Sequence, residues 1–211
     1  YYFSIRTLFN RYKVKFDQFS SLLYVDRRGA PENTQMGLDL TKKLHLMHSM
    51  LRLSGKSSND IVITETNWPI TNTAPYAPTS EEDCVSLDLQ ANFLVRYYLL
   101  SLSSGVVKNV YWHQLIAPGY GLIDNRNDEL IKYPSYTAFK VMLRHLQGAR
   151  FVEAVSSKAV YRIKFIKDIE ANMQQSIEVV WSNGDLGGNI SEPINKPCQQ
   201  AISRSGNALS A

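Results

Sequence analysis

Apolar and polar positions along the 211 residues follow two periods in turn, which predict alternating strands and helices. Short runs rich in β-branched and aromatic residues predict three strands, at 16–25, 60–65 and 106–115. After each of them, apolar residues recur every three to four positions, which predicts a helix. The repeated order of strand and helix is typical of a parallel α/β sheet or barrel.

The first helix is bounded by a capping residue and a glycine. Asn33 or Thr34 is the candidate N-cap, because a short polar side chain can accept a hydrogen bond from a free N–H of the first turn. The helical pattern then begins at Met36 and stops at Gly55. We therefore expect a helix over most of the segment between these residues.

Two further helices have similar signals. The sequence Ser-Glu-Glu-Asp beginning at Ser80 is typical of a capping box, so we expect a helix from there to Gly105, with Cys84 inside it. Pro134 suits the first turn of the third helix, which is predicted to end near Gly148.

The pattern changes after residue 150. Apolar and polar residues alternate at 159–166, and a second β-rich run lies at 176–181, so antiparallel strands are expected. We therefore divide the chain into residues 1–150, an α/β unit, and residues 151–211, a small β-rich appendage.

Composition and charge argue against several classes of function. An apolar share of 44% is ordinary for a globular protein, and a net charge of +4 comes from scattered basic residues that form no basic-aromatic stripe. We therefore expect no nucleic-acid partner. No apolar run reaches the roughly 20 residues that span a bilayer. The two cysteines, Cys84 and Cys198, form no disulfide framework or metal cluster, and we expect neither a metal nor a cofactor.

The second predicted strand ends in the most suggestive chemistry. Glu65 directly follows its buried run, and Trp68 lies in the loop that comes next. The third strand likewise ends in Trp112, His113 and Gln114. Side chains at the carboxyl ends of parallel strands face the substrate in α/β barrels, so these positions are candidates for a site. A glutamate after a strand is also common as a solvated charge, and that alternative stays open here.

Three segments together resemble the last third of the (β/α)8 barrel of clan A glycoside hydrolases. They are Thr-Glu-Thr-Asn-Trp-Pro at 64–69, Val-Tyr-Trp-His-Gln at 110–114 and Tyr-Pro-Ser-Tyr-Thr-Ala-Phe-Lys at 133–140. The chain is most similar to the β-xylosidase and α-L-iduronidase branch, which also has a β domain after the barrel. The resemblance implies a partial (β/α)8 TIM barrel of strands six to eight with their helices, followed by a small antiparallel β domain.

The resemblance also implies a retaining glycoside hydrolase that acts on an oligosaccharide or glycoside. Glu65 matches the nucleophile at the tip of strand seven, and Tyr24 matches a tyrosine at the tip of strand six that donates a hydrogen bond to it. Aromatic rings bind the apolar faces of sugars. The candidate substrate-binding residues are Trp68, Trp112, His113 and Tyr120. Each of these side chains could instead be structural.

One departure from the family pattern matters. A full barrel takes about 250 residues, and the family places its acid/base glutamate after an asparagine at the end of strand four. No Asn-Glu pair follows a strand here; the other carboxylates in predicted strand-end loops are Asp26, Glu32, Asp124 and Glu129. We therefore expect the C-terminal part of a larger enzyme or a truncated reading frame, which lacks the N-terminal part of the barrel and has negligible activity alone.

Two other functions remain open. The chain could be a non-catalytic, carbohydrate-binding barrel remnant in which Glu65 only accepts a hydrogen bond from a sugar hydroxyl. It could also be an open α/β binding domain of the flavodoxin type. Against the second, no glycine-rich phosphate loop follows a strand, since Gly119 and Gly121 lie in a long loop with an aromatic residue between them.

Overall fold

The structure is a computed structural model, and it describes most of the chain. The described residues are 15–25, 29–56, 60–77, 80–157, 160–170, 173–182 and 200–209. Asp26 and Cys198 therefore lie outside the described residues.

A three-stranded parallel sheet forms the centre of the fold. Its strands are β1 (Phe19–Leu22), β2 (Ile61–Thr66) and β3 (Val107–Trp112), and they lie in the order β1-β2-β3. Each strand pairs in parallel with the next one along the chain. The prediction of three parallel strands is confirmed. Strands β1 and β3 are shorter than predicted, so Tyr24 and His113 lie just beyond the strand ends.

The middle strand is buried on both of its faces. Ile61 and Ile63 have 0% exposed surface, and Val62, which points to the opposite face, has 7%. Such burial is expected where helices and loops cover both sides of a parallel strand. It explains why β2 is a continuous apolar run instead of an alternating one.

Helix α1 (Leu40–Ser54) begins later than predicted. Asp39 is the N-cap, and its carboxylate accepts a hydrogen bond of 2.7 Å from the Lys42 N–H. Met36 lies in a tight turn before the helix and is 99% exposed. The expectation that Asn33 or Thr34 caps the helix was wrong, because the turn interrupts the backbone after them. The predicted end is confirmed, since Gly55 has the left-handed φ of 62°.

Helix α2 (Leu87–Ser103) also begins later than predicted. The acidic segment at Ser80 forms only a short 3-10 helix, Glu81–Asp83, and Cys84 follows it in extended conformation. The Ser86 hydroxyl caps α2 by accepting from the Leu89 N–H at 3.2 Å. Cys84 therefore lies outside the helix. Helix α3 (Pro134–Leu146) has Pro134 in its first turn, as predicted.

Two small antiparallel sheets complete the fold. Their strands are β4 (Ile123–Asp124), β5 (Ile131–Lys132), β6 (Ala149–Ser156), β7 (Val160–Glu170) and β8 (Met173–Ser182). The first two form a hairpin in the loop after β3, and the last three form one sheet in the order β6-β7-β8. Antiparallel pairing of β7 and β8 is confirmed, but the sequence pattern did not predict β6.

The antiparallel sheet shares a hydrophobic core with the helices. Ile163 and Phe165 of β7 are 1% and 2% exposed, and they belong to the same buried cluster as Leu94 of α2 and Met142 of α3. This core contains residues from both sides of position 150. The division of the chain into two units at that position remains a prediction.

Two absences concern the described residues. No helix in them is both long and apolar enough to cross a bilayer. They also contain no group of three or more histidine, cysteine or acidic side chains placed to hold a metal ion.

Candidate active site

The carboxyl ends of the three parallel strands bring the predicted site residues together. Leu22 of β1 is the register partner of Glu65, and Thr66 of β2 is the register partner of Trp112. Because parallel strands end at the same edge of a sheet, Tyr24 and Glu65 both lie at this edge. Residues 40 or more positions apart are therefore neighbours.

Tyr24 and Glu65 are joined by a direct hydrogen bond. The Tyr24 hydroxyl donates to Glu65 Oε1, and both side chains are half-buried. The bond involves only one of the two carboxylate oxygens, Oε1. It therefore holds that oxygen toward Tyr24.

Helix α2 holds the backbone next to this pair. The Leu23 N–H donates to the Glu65 carbonyl at 3.2 Å, and the Leu23 carbonyl accepts a bond of 2.6 Å from the Tyr97 hydroxyl. Tyr97 has 0% exposed surface. Both polar groups of the Leu23 backbone are therefore engaged immediately before Tyr24.

The loop after β3 supplies a second set of aromatic side chains. The rings of His113 and Tyr120 are stacked, with centroids 5.6 Å apart and an interplanar angle of 13°. The Trp112 indole N–H donates to the Tyr120 carbonyl at 3.2 Å, and the Gln114 amide donates to the Tyr120 hydroxyl at 3.0 Å. The three rings are half-buried, and the peptide bond between His113 and Gln114 is cis.

Trp68 lies in the core instead of on a surface. Its side chain has 0% exposed surface, and its indole N–H donates to the Gly29 carbonyl at 3.1 Å. Its ring stacks on Trp112, with centroids 6.1 Å apart. The expectation that Trp68 binds a sugar face does not fit this position, because a sugar cannot reach a ring buried on all sides. Trp68 instead packs against the Trp112 ring from the side of the core.

Two polar residues that the sequence analysis did not single out connect the loops after β2 and β3. The Asn67 amide donates to the His113 carbonyl at 2.6 Å. The Gln90 amide nitrogen lies 3.0 Å from the Trp68 carbonyl, 3.4 Å from that of Tyr120 and 3.3 Å from that of Gly121. Gln90 is completely buried in α2. Its position among apolar residues of a helix was the only available signal, since a buried glutamine requires partners.

Glycine is required where these two loops touch. The Ile70 N–H donates to the Gly119 carbonyl at 2.8 Å. A Cβ atom at Gly119 would lie only 2.3 Å from the backbone oxygen of Tyr76. The glycine therefore permits close backbone approach, a role unrelated to phosphate binding.

A cavity of about 400 Å³ lies beside the loop after β2 and contains none of the predicted site residues. It is lined by residues 70–73, residues 86–88, Arg126 and Tyr133.

The Arg126 guanidinium is fixed by Asp124, with 2.7 Å between Nη2 and Oδ2. Hydrogen bonds from Arg126 lower the pKa of Asp124 to about 2, although burial acts in the opposite direction.

A buried ion pair connects α2 to the loop after β1. Both nitrogens on one side of the Arg96 guanidinium, Nε and Nη2, donate to the Glu32 carboxylate. The two side chains are only 13% and 5% exposed. The indole N–H of Trp181 in β8 donates to the same carboxylate at 2.8 Å. This polar cluster therefore links the parallel and antiparallel sheets.

Comparisons with known proteins address the fold. No protein-family model and no curated protein matches the chain. Among solved structures, the chain is similar to a family 39 glycoside hydrolase from the gut symbiont Bacteroides cellulosilyticus WH2, with a TM-score of 0.52 and 19% sequence identity. The match covers 79% of this chain and 34% of that chain, so the chain spans about a third of its length.

At this level of identity the likeness concerns the fold alone. The described part of the chain has a mixed α/β fold, with three α-helices and several sheets, that is similar to part of a glycoside hydrolase. The expectation of a glycoside hydrolase fold is confirmed in that coarse form.

Proposed function

We propose that the chain supplies the nucleophile half of a retaining glycoside hydrolase of the β-xylosidase and α-L-iduronidase branch. The observation that carries this proposal is the hydrogen bond from Tyr24 to Glu65 at the carboxyl ends of neighbouring parallel strands. A carboxylate on a rigid strand end, with a phenol donor on one oxygen, is suited to nucleophilic attack.

In the proposed reaction Glu65 Oε2 attacks the anomeric carbon of the substrate. The bond from that carbon to the leaving oxygen breaks, and its electron pair goes to the leaving oxygen, which takes a proton from an acid. The same group then acts as a base and takes a proton from water, the water oxygen attacks that carbon, and the bond from the carbon to Glu65 breaks to release the sugar. Tyr24 orients the carboxylate by keeping Oε1 occupied.

The aromatic cluster of Trp112, His113 and Tyr120 is the proposed sugar platform. The apolar faces of pyranose rings pack on aromatic rings. Trp112 ends β3, and His113 and Tyr120 lie in the loop after it. The His113 N–H donates to the carbonyl of Thr66, the residue after Glu65, at 3.1 Å. Gln114 and Asn67 fix the ends of that loop. We expect an oligosaccharide or glycoside as the substrate.

The acid/base carboxylate is proposed to come from other strands of a complete barrel. A retaining enzyme needs it roughly 5 Å from the nucleophile. Among the described residues, Glu32 is paired with Arg96 and Asp124 with Arg126, so both are committed to ion pairs. Within the same residues, β1 and β3 each pair on one side only, which leaves edges for further strands.

Covalent labelling tests the nucleophile without the acid. A 2-deoxy-2-fluoro glycoside with a fluoride or dinitrophenolate leaving group needs no protonation, because these groups leave as stable anions. We expect the β-D-xylosyl or α-L-iduronyl reagent to add one sugar mass to the peptide that contains Glu65, and Glu65→Gln to remain unlabelled. Labelling at another residue, or none with either sugar, contradicts the assignment.

A second candidate function is carbohydrate binding without turnover. The commitment of Glu32 and Asp124 to arginine partners favours it, since neither is available as an acid. Binding of xylo-oligosaccharides by the wild-type chain and by Glu65→Gln alike, together with the absence of labelling, would support this alternative.

A further inference from the structure

Tyr97 of α2 contacts the backbone of the residue before Tyr24. It also approaches the residue after Glu65. Its hydroxyl donates to the carbonyl of Leu23, the residue before Tyr24, at 2.6 Å. The side chain of Thr66, the residue after Glu65, affects the pKa of the same phenol but forms no hydrogen bond with it. Both Tyr97 and Thr66 have 0% exposed surface.

Only the bond to Leu23 holds the Tyr97 hydroxyl. It lies 2.6 Å from the Leu23 carbonyl oxygen, whereas the Thr66 hydroxyl does not complete a hydrogen bond with any described group. Burial raises the pKa of the Tyr97 phenol, and the Thr66 hydroxyl lowers it only in part. The Tyr97 hydroxyl therefore stays protonated and remains a donor at any pH at which the enzyme is expected to work.

We propose that Tyr97 is a positioning residue that sets the separation of Tyr24 and Glu65. Tyr24 lies two residues beyond the end of β1. Leu23, the residue before it, is held at both polar groups of its backbone, since its N–H donates to the Glu65 carbonyl and its carbonyl accepts from the Tyr97 hydroxyl. Removal of the Tyr97 hydroxyl removes one of these two bonds and lets Leu23, and with it Tyr24, shift relative to Glu65.

The ring of Tyr97 has a separate, structural role. It packs edge-on against Trp68, with centroids 5.8 Å apart. Tyr97→Phe keeps this ring and removes only the hydroxyl, so it separates positioning from packing. The substituted chain is expected to fold.

Tyr98 offers a matched control on the same helix. It is a buried tyrosine, 8% exposed, and its hydroxyl also donates to a strand carbonyl, that of Val110, at 3.3 Å. Val110 belongs to β3 and is the register partner of Ile63, two residues before Glu65. Tyr98→Phe therefore removes a similar bond at a different place.

The first measurement does not depend on the proposed function. The chain is labelled with tyrosine carrying ¹³C at the ζ carbon, and the Tyr24 signal is assigned by its loss in Tyr24→Phe. We expect Tyr97→Phe to move the Tyr24 signal toward its position in Glu65→Ala, where the phenol has lost its partner. Tyr98→Phe is expected to leave it in place.

The second measurement rests on the proposed function. We expect Tyr97→Phe to slow labelling of Glu65 by the fluorinated glycoside about tenfold, because small displacements of reacting groups have large effects on rate. Tyr98→Phe should keep the wild-type rate. If the wild-type chain is not labelled at all, the proposed function fails while the Tyr24 signal still decides the positioning role.

Two results overturn the proposal. One is a Tyr24 signal that is the same in Tyr97→Phe as in the wild type. The other is a Tyr97→Phe chain that does not fold, since the hydroxyl would then support the whole structure instead of one local separation.

Discussion

The indole N–H of Trp181 donates to Glu32 Oε1 at 2.8 Å, although 149 positions separate the two residues. The same carboxylate binds the Arg96 guanidinium through two of its nitrogens. Trp181 also stacks on Tyr161, with an interplanar angle of 4°. One buried carboxylate thus ties the last strand of the antiparallel sheet to α2 and to the loop after β1.

This cluster predicts a large loss of stability when the guanidinium is removed. Arg96→Met leaves the Glu32 carboxylate buried without its cation, which costs about 3–5 kcal/mol. Trp181→Phe removes one hydrogen bond to a charged group, which costs about 1.5–3 kcal/mol. Urea unfolding measures both. Arg162→Met is the control, because its pair with Glu178 is 28% and 37% exposed and is expected to contribute less than about 1 kcal/mol. A loss in Arg96→Met no larger than in the control would be inconsistent with a buried pair.

The pair of Asp124 and Arg126 predicts a pH dependence. Arg126 lowers the pKa of Asp124 from 3.8 to about 2, so the folded chain binds this proton less readily than the unfolded chain. The stabilisation is therefore complete above pH about 4 and is lost as the pH falls toward about 2. The free energy of unfolding, measured with urea at several pH values in this range, should rise less steeply with pH in Asp124→Asn and in Arg126→Met than in the wild type. Lys108→Met removes an exposed basic partner instead and should leave the slope intact. An unchanged slope in both of the first two variants would be evidence against the linkage.

Gln90 is expected to be hard to replace. Its amide nitrogen lies within 3.4 Å of three carbonyls, and a methionine of similar shape leaves all three without this donor. We expect Gln90→Met to lower the free energy of unfolding by about 1–3 kcal/mol. Gln90→Glu should lower it more, because a carboxylate would face carbonyl oxygens. Thermal unfolding checks the order. The exposed Gln174, which donates to Asp168, is the control, and Gln174→Met should change stability by no more than about 0.5 kcal/mol.

The proposed sugar platform predicts an effect on carbohydrate binding. Tyr120→Ala removes the ring that stacks on His113 and is expected to weaken xylo-oligosaccharide binding about tenfold, as loss of a stacking ring does. Tyr120→Phe keeps the ring and should bind nearly as well as the wild type. Titration followed by NMR measures both affinities. Equal weakening by the two substitutions would assign the effect to the hydroxyl and its Gln114 partner.

Residues with strong backbone preferences predicted the ends of helices correctly at two positions. Pro134 begins α3 and Gly55 ends α1 because these residues restrict or extend the backbone wherever they occur. The apolar run of β2 predicted a doubly buried strand. The predicted helix starts at Asn33 and Ser80 were wrong, because a tight turn at 35–38 interrupts the backbone after Asn33 and the residues after Ser80 form only a short 3-10 helix.

The roles of the site residues stay predictions, but the reasons for choosing them differ. Glu65 was singled out because a carboxylate follows the apolar run of β2, and Tyr24 because of a resemblance. Gln90 and Tyr97 were not found, because helical spacing does not reveal which buried polar group meets a loop carbonyl. Trp68 was misplaced because a tryptophan after a strand can point into the core as readily as toward solvent.

The sequence by itself determined the order of the three parallel strands and their helices, the apolar faces and the carboxylate at the end of β2, because these follow from backbone restrictions and from burial over a few neighbouring residues. Only the tertiary structure decided that the Tyr24 hydroxyl meets Glu65, that Trp68 lies beneath Trp112, and that Trp181 reaches Glu32. Such contacts depend on how elements far apart in the chain pack together, which no local pattern records.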